Sequence, residues 1–203
     1  MTDGILIIDK PAGWTSHDVV ARARRIMGER RVGHTGTLDP FATGVLVVLV
    51  GHATRLAQFL AGAEKEYEAL IRFGYATDTG DLTGTRRAQP GADAGGSEGA
   101  GGDDARAACA SLTETRIEAA LTNLRGEIEQ TPPMYSAKKV QGQKLYESAR
   151  RGVEVERAAV RVSVRVFELM RREGVLLSER ADGTCDAAAR VVCSAGTYVR
   201  TLA

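Results

Sequence analysis

The stretch Gly33-His34-Thr35-Gly36-Thr37-Leu38-Asp39-Pro40-Phe41-Ala42-Thr43-Gly44 runs straight into an apolar segment, Val45-Leu46-Val47-Val48-Leu49-Val50. Glycines, threonines, a histidine and an aspartate are packed into the first part, and only branched aliphatics into the second. This pattern reads as a loop feeding a buried strand, with a single acid held near the loop's end. Asp39 precedes a proline, which biases its backbone towards extended or turn geometry. The glycines allow tight turning or close approach to a ligand. An Asp-Pro in a polar loop is ordinarily only a turn, so the meaning of Asp39 depends on what surrounds it.

Working outward, Gly4-Ile5-Leu6-Ile7-Ile8-Asp9-Lys10 reads as a strand, Pro11-Ala12-Gly13-Trp14 as a turn, and Thr15 or Ser16 as the N-cap of a helix. Val19, Val20, Ala23, Ile26 and Met27 fall on one face of that helix, and Gly28 ends it. Trp14 is expected to pack at the turn. Arg22, Arg24, Arg25, Arg30 and Arg31 project towards the Gly33–Gly44 loop. A short amphipathic helix follows over 53–60. Lys65-Glu66-Tyr67-Glu68-Ala69-Leu70-Ile71-Arg72-Phe73 alternates, with Tyr67, Ala69, Ile71 and Phe73 on one face. Thr77-Asp78-Thr79-Gly80-Asp81-Leu82-Thr83-Gly84 is a turn-rich loop that lacks the distal glutamate of a calcium loop.

From Pro90 to Ala108 little is available to bury, and the composition predicts a flexible insertion. A capping box at Thr115 to Glu118 starts a helix that ends at Gly126. Gln130 to Val140 is held extended by its prolines and carries Tyr135, Lys138 and Lys139. A helix follows over 144–151. Val160, Val162, Val164 and Val166 alternate with Arg161, Ser163 and Arg165, predicting a half-buried strand with a basic outer face. A further strand covers 186–194, and Arg200-Thr201 reads as the first turn of a helix.

The 203 residues are 43% hydrophobic, enough for one substantial core or two small ones. A formal net charge of +1 announces no global basic field, but the basic residues cluster on either side of the opening loop, in the first helix and in Lys138, Lys139, Lys144, Arg150 and Arg151. Such clusters are ordinarily solvated helix faces; they are also what a phosphate backbone requires. Lys10 reads equally as a solubilising strand end or a phosphate contact. Three cysteines without close pairing argue against a disulfide framework or zinc site. No apolar run reaches membrane-spanning length, and Met1-Thr2-Asp3-Gly4 is unlike a signal peptide, so a reducing cytoplasm is the expected setting.

Five pieces of the chain, in order, resemble the bacterial tRNA pseudouridine synthases that modify the T-loop uridine at position 55. They are Asp9 to Ser16, Gly33 to Gly44, Lys65-Glu66-Tyr67, Gln130 to Tyr146, and Cys193 to Leu202. The same loop is similar to that of the guide-RNA-dependent synthases of archaea and eukaryotes, but Pro-Pro-Met-Tyr-Ser-Ala-Lys-Lys and the immediate start at Met1 favour the stand-alone bacterial type. The resemblance implies an α+β fold, a mixed and mostly antiparallel sheet flanked by helices, with residues 1–203 as a partial catalytic domain. The family's further C-terminal part and its small RNA-binding domain would be absent.

The resemblance also implies uridine isomerisation in the tRNA T-stem-loop without cofactor or metal, by an enzyme expected to be a monomer with no obligate protein partner. It gives Asp39 as nucleophile, Tyr67 as the aromatic that stacks on the base and helps move the C5 proton, and Arg200 as the aspartate's partner. His34 and Tyr198 would contact the flipped nucleotide. Lys10 and Lys138 are assigned to the RNA from charge position. The chief rival is a non-catalytic RNA-binding module. A phosphate-loop enzyme is disfavoured because the Gly-Lys-Ser/Thr ending is missing.

Overall fold

In the computed structural model, residues 2–87, 102–140 and 142–202 are described. The chain divides into two units, Met1–Ala63 and Glu64–Ala203, each with its own apolar core.

The first unit begins with strand β1, Gly4–Lys10, followed by helix α1, Ser16–Met27, and strands β2, Val32–His34, and β3, Gly44–Val50. A short 3-10 helix, Gly51–Leu56, runs into α2, Ala57–Leu60. The sheet order is β1-β3-β2, with both pairings antiparallel. The all-aliphatic run takes the central place because a strand paired on both edges leaves no backbone group for water. Val19, Val20 and Ala23 of α1 pack on Val32, Leu46, Val48 and Val50. Thr15 is the N-cap, in a reciprocal capping box with Asp18, and Gly28 ends the helix in the left-handed conformation. Ile26, expected on the buried face, is 68% exposed.

The second unit contains β4, Lys65–Phe73; α3, Gly102–Ala110; α4, Glu114–Thr122; β5, Gly126–Gln130; and the two-residue strands β6, Lys139–Val140, and β7, Gln143–Lys144. Helix α5, Leu145–Arg150, strands β8, Val160–Met170, β9, Leu177–Glu179, and β10, Cys185–Cys193, and a 3-10 turn, Val199–Thr201, complete it. Its main sheet has the order β4-β10-β8-β5, with β9 also on β10. Every pairing between the named strands is antiparallel, in keeping with the mostly antiparallel α+β expectation. Ile117 and Leu121 of α4 pack on Ile71, Val164, Phe167, Ala189 and Val191.

Two expectations about the elements of this unit change. The compositional insertion over 90–108 does not extend to its predicted end, because α3 begins at Gly102; Ala105 and Cys109, one turn apart, are buried. Residues 90–101 lie outside the described residues. The cap of α4 is Thr113, whose side chain accepts from the Arg116 N–H at 3.2 Å, and not Thr115. All three cysteines are free and buried. Burial, with Cys109 beside it, pushes the Cys185 thiol up to about 12, which leaves it unreactive.

Strand β10 is buried along almost its whole length, including Asp186. That carboxylate lies opposite Arg72 in register and accepts from Arg72 Nε at 2.7 Å and Nη2 at 3.0 Å, and from Arg180 Nη1 at 2.8 Å. These partners hold its carboxyl below the ordinary aspartate range, the Arg72 hydrogen bonds foremost. On the same sheet, Arg165 pairs with Glu64, and Arg190 with Glu66 and Glu168. The face of β8 expected to be basic is therefore neutralised at Arg165 by Glu64.

Because the folded-state pKa of Asp186 is depressed, its contribution is complete above the unfolded value of about 3.9 and is lost as pH falls through the folded value. Asp186→Ala is expected to cost about 1–3 kcal/mol in urea unfolding at neutral pH, since the partly buried Arg72 guanidinium loses its partner. The gap from wild type should narrow down the acid limb. A gap that stays constant there would mean that the ion pair contributes nothing.

Candidate active site

The β1–β3 register sets Lys10 across from Gly44, the point where the Gly33–Gly44 loop enters its strand. Gly44 has φ +113°, which side-chain-bearing residues rarely adopt. The loop folds back on the β1–α1 turn and is tied to it on both sides of Asp39. The Leu38 N–H donates to Ser16 Oγ at 3.0 Å. The Pro40 carbonyl accepts from the Gly13 N–H at 2.8 Å and from Lys10 Nζ at 3.2 Å. Asp39 itself opens a tight turn, its carbonyl accepting from the Ala42 N–H at 3.1 Å. The half-buried aspartate is thus fixed by its neighbours' main chain.

Lys10 corrects an expectation. It is fully buried, and its ammonium donates to the carbonyls of Pro11 at 2.9 Å, Trp14 at 2.7 Å and Pro40. An ammonium has three protons, so none remains for an RNA phosphate. Burial lowers the Lys10 pKa, and the negative charge of Asp39 works against that shift. Ser16, considered as a helix cap, is instead the first helical residue and is buried under the loop. Trp14 is exposed at 41% rather than packed.

His34 ends β2, half-buried, with its ring edge-on to His17 at 5.5 Å between centroids. Burial holds its pKa below the ordinary histidine value, a Gly36 backbone hydrogen bond opposes this, and the charge of His17 adds to the lowering. A largely neutral imidazole at neutral pH can stack and exchange hydrogen bonds without carrying charge. Of the α1 arginines, Arg24 is committed to the Val32 carbonyl at 2.9 Å. Arg22 and Arg25 line a shallow groove of about 410 Å³ with Gly13, Trp14 and Asp18.

In the second unit, Tyr67 lies on the inward face of β4, opposite Val191 of β10, and packs against the core. Arg200 sits in the Val199–Thr201 turn with its side chain only 9% exposed. Its guanidinium donates to the Thr79 carbonyl at 2.9 Å and the Tyr135 carbonyl at 2.8 Å, and lies 3.8 Å from Asp81 Oδ2. Asp81 in turn accepts from the Thr79 hydroxyl and from the N–H and hydroxyl of Thr83. Its carboxyl is lowered by these bonds and by Arg200, against the opposing effect of burial. The loop approaches Arg200 closely enough that a Cβ on Gly80, at φ +72°, would come 3.2 Å from the Arg200 carbonyl oxygen. Tyr198 is fixed through its peptide by Gln130. Lys138 is half-buried, and its carbonyl accepts from the Leu145 N–H at 2.9 Å. Nearby in sequence, Lys144 and Arg150 both stand over the Tyr146 ring, at 5.4 and 5.5 Å.

Sequence alone gives Asp81 and Gln130 no role at the site, and Ser16 only that of a possible helix cap. The density of aspartate and threonine over Thr77–Gly84 was the available signal for Asp81, but only the fold shows that it faces a guanidinium. Among the described residues no group of His, Cys, Asp and Glu side chains is arranged to hold a metal ion, and no helix is long and apolar enough to cross a membrane.

Residues 24–199 match the family described as TruB family pseudouridylate synthase, N-terminal domain. The chain is 47% identical over 201 residues to tRNA pseudouridine synthase B of Geobacillus thermodenitrificans, covering 99% of this chain and 60% of that protein. It is 48% identical over 204 residues to the protein of the same name from Thermobifida fusca, covering 100% of this chain and 63% of that one. It therefore spans about three fifths of the length of these relatives. Among solved structures, a chain of a Cbf5-Nop10-Gar1 complex is similar with a TM-score of 0.61 and 30% identity, over 98% of this chain and 42% of that one. With the family match spanning most of the sequence and the alignments to these relatives covering nearly all of this chain, the chain belongs to the TruB family of pseudouridylate synthases, matching its N-terminal domain.

Proposed function

We propose that this chain carries the nucleophile of a cytoplasmic enzyme that isomerises uridine to pseudouridine in the T-loop of tRNA. What supports the reading is the family match across 24–199 together with an aspartate pinned on both sides at the end of the Gly33–Gly44 loop. The reaction breaks the N1–C1′ bond and remakes the link at C5. Nothing is oxidised or hydrolysed, so a carboxylate suffices, attacking C1′ or C6 or removing the C2′ proton on a route through a glycal. Each route uses Asp39 ionised. A base within a folded T-loop must leave its stack to be reached, and an aromatic face can receive it.

In this reading Tyr67 supplies that face and its hydroxyl assists the C5 proton, while Arg200 supports the charge of Asp39. His34 and Tyr198 contact the displaced nucleotide. The phosphates fall to the exposed Arg22 and Arg25 and to the half-buried Lys138, whereas Lys10 acts from below by holding the Asp39 loop.

The direct test is release of label from uridine C5 in unmodified T-loop RNA. Asp39→Asn is expected to reduce release below detection while RNA affinity is retained; equal loss of both would remove the nucleophile role. Tyr67→Phe keeps the stacking face and should slow release by about 100-fold or more; an unchanged rate would exclude the hydroxyl. Lys10→Met removes the ammonium donor from the Pro11 and Trp14 carbonyls and leaves Pro40 only the Gly13 N–H, and should destabilise the fold by about 1–3 kcal/mol in urea unfolding, with RNA affinity unaltered. Weaker RNA binding at unchanged stability would instead return Lys10 to the phosphate-contact role. RNA binding by the wild-type chain without any release would support the binding-module alternative.

A further inference from the structure

Gln130, the last residue of β5, is only 6% exposed. Its side-chain amide meets the Tyr198 peptide on both sides. The Tyr198 N–H donates to Gln130 Oε1 at 2.8 Å, and Gln130 Nε2 donates to the Tyr198 carbonyl at 2.9 Å. A primary amide presents a donor and an acceptor side by side, as the edge of a strand does, so this contact acts as a single rung of β-ladder made by a side chain. A glutamate would lack the donor, and an asparagine would fall one methylene short.

The rung sits immediately before the Val199–Thr201 turn that carries Arg200. The Arg200 guanidinium then reaches back to the Tyr135 carbonyl at 2.8 Å. Tyr135 follows Gln130 along the same segment, past Pro132 and Pro133, whose fixed φ keeps the spacing constant. One proline-stiffened stretch therefore grips the turn twice, at the Tyr198 backbone through Gln130 and at the Arg200 side chain through Tyr135.

We propose that Gln130 is a positioning residue for Arg200. By locking the peptide from which the Val199–Thr201 turn departs, it sets the origin of the guanidinium and removes the freedom that would let the side chain swing away. The role given to Arg200 rests on the isomerase reading above. A glutamine that merely tied the chain to the sheet would show the same two bonds, so the test has to separate those roles.

Gln130→Met keeps length and apolar volume while deleting both bonds. Amide hydrogen exchange at Tyr198 to Thr201 is expected to accelerate, with the β10 amides unchanged. Single-turnover C5 release should fall by about 10- to 100-fold, the scale of a misplaced catalytic group, at unchanged RNA affinity. In an Arg200→Lys background the same substitution should cost little more, because the two residues act through one element. Unchanged exchange at Tyr198, rate and affinity falling together with protection lost along β10, or an equal loss of rate in both backgrounds would each overturn the proposal. If the wild-type chain releases no label, the isomerase reading itself fails. The lock is then judged on exchange alone, upheld if Gln130→Met frees the Tyr198 to Thr201 amides and overturned if it does not.

Discussion

A buried ammonium group must find oxygen atoms, because its desolvation is otherwise prohibitive. Lys10 finds three, all of them main-chain carbonyls, and one belongs to Pro40 in the loop that carries Asp39. The geometry of the first unit follows from meeting that demand. The antiparallel register of β1 on β3 delivers Lys10 beneath the loop, and the β1–α1 turn bends so that Pro11 and Trp14 offer their carbonyls. The loop closes down to supply the last acceptor. Ser16 completes the arrangement by gripping Leu38 on the other side of the aspartate. A single carboxylate on a glycine-rich loop would ordinarily sample many positions; here its backbone is tied at both neighbours.

The second unit uses a different constraint for a similar end. Strand β10 lies between β4 on one side and β8 with β9 on the other, and its alanines let neighbouring layers pack close. Asp186, the one acid buried in it, is neutralised by two arginines. Once that strand is fixed, the chain leaving it is caught by Gln130 at Tyr198 and by the carbonyls of Thr79 and Tyr135 at Arg200. In both units a charged side chain is positioned largely through main-chain carbonyls, which are rigid and carry no titration of their own.

Charge placement also separates two kinds of basic residue that composition treats alike. Arg165 and Arg190 belong to a ladder with Glu64, Glu66 and Glu168, and their fields are largely cancelled. Arg22 and Arg25 instead line an open groove beside an exposed Trp14, and Lys144 and Arg150 flank the Tyr146 ring. A polyanion would feel the latter groups more strongly than the former, since the attraction depends on charge left uncompensated within a Debye length.

The periodicities of the sequence were enough to define most of the strands and helices, because burial on one face imposes a period of two or of 3.6 directly on residue type. The aliphatic strand over 45–50, the alternating strand of Tyr67 and the final strand were legible for that reason, whereas Gly33 and His34, read as loop, pair with β3 as part of β2. The N-cap of α1 was legible in part, falling on Thr15, one of the two residues considered, while its reciprocal box with Asp18 was not. The family resemblance, carried by short motifs, was legible as well. Other features depend on partners distant in the chain. Lys10 could be an exposed solubiliser or a phosphate contact until the β1–β3 register placed it under Pro40. Asp81 was one more turn aspartate until the fold brought Arg200 to it. Gln130 was one residue of a proline-rich segment until Tyr198 arrived to be held. Local pattern specifies which face of an element is apolar; it does not specify which buried polar group meets which. That pairing is decided only when the tertiary fold removes water and leaves each donor to find its acceptor.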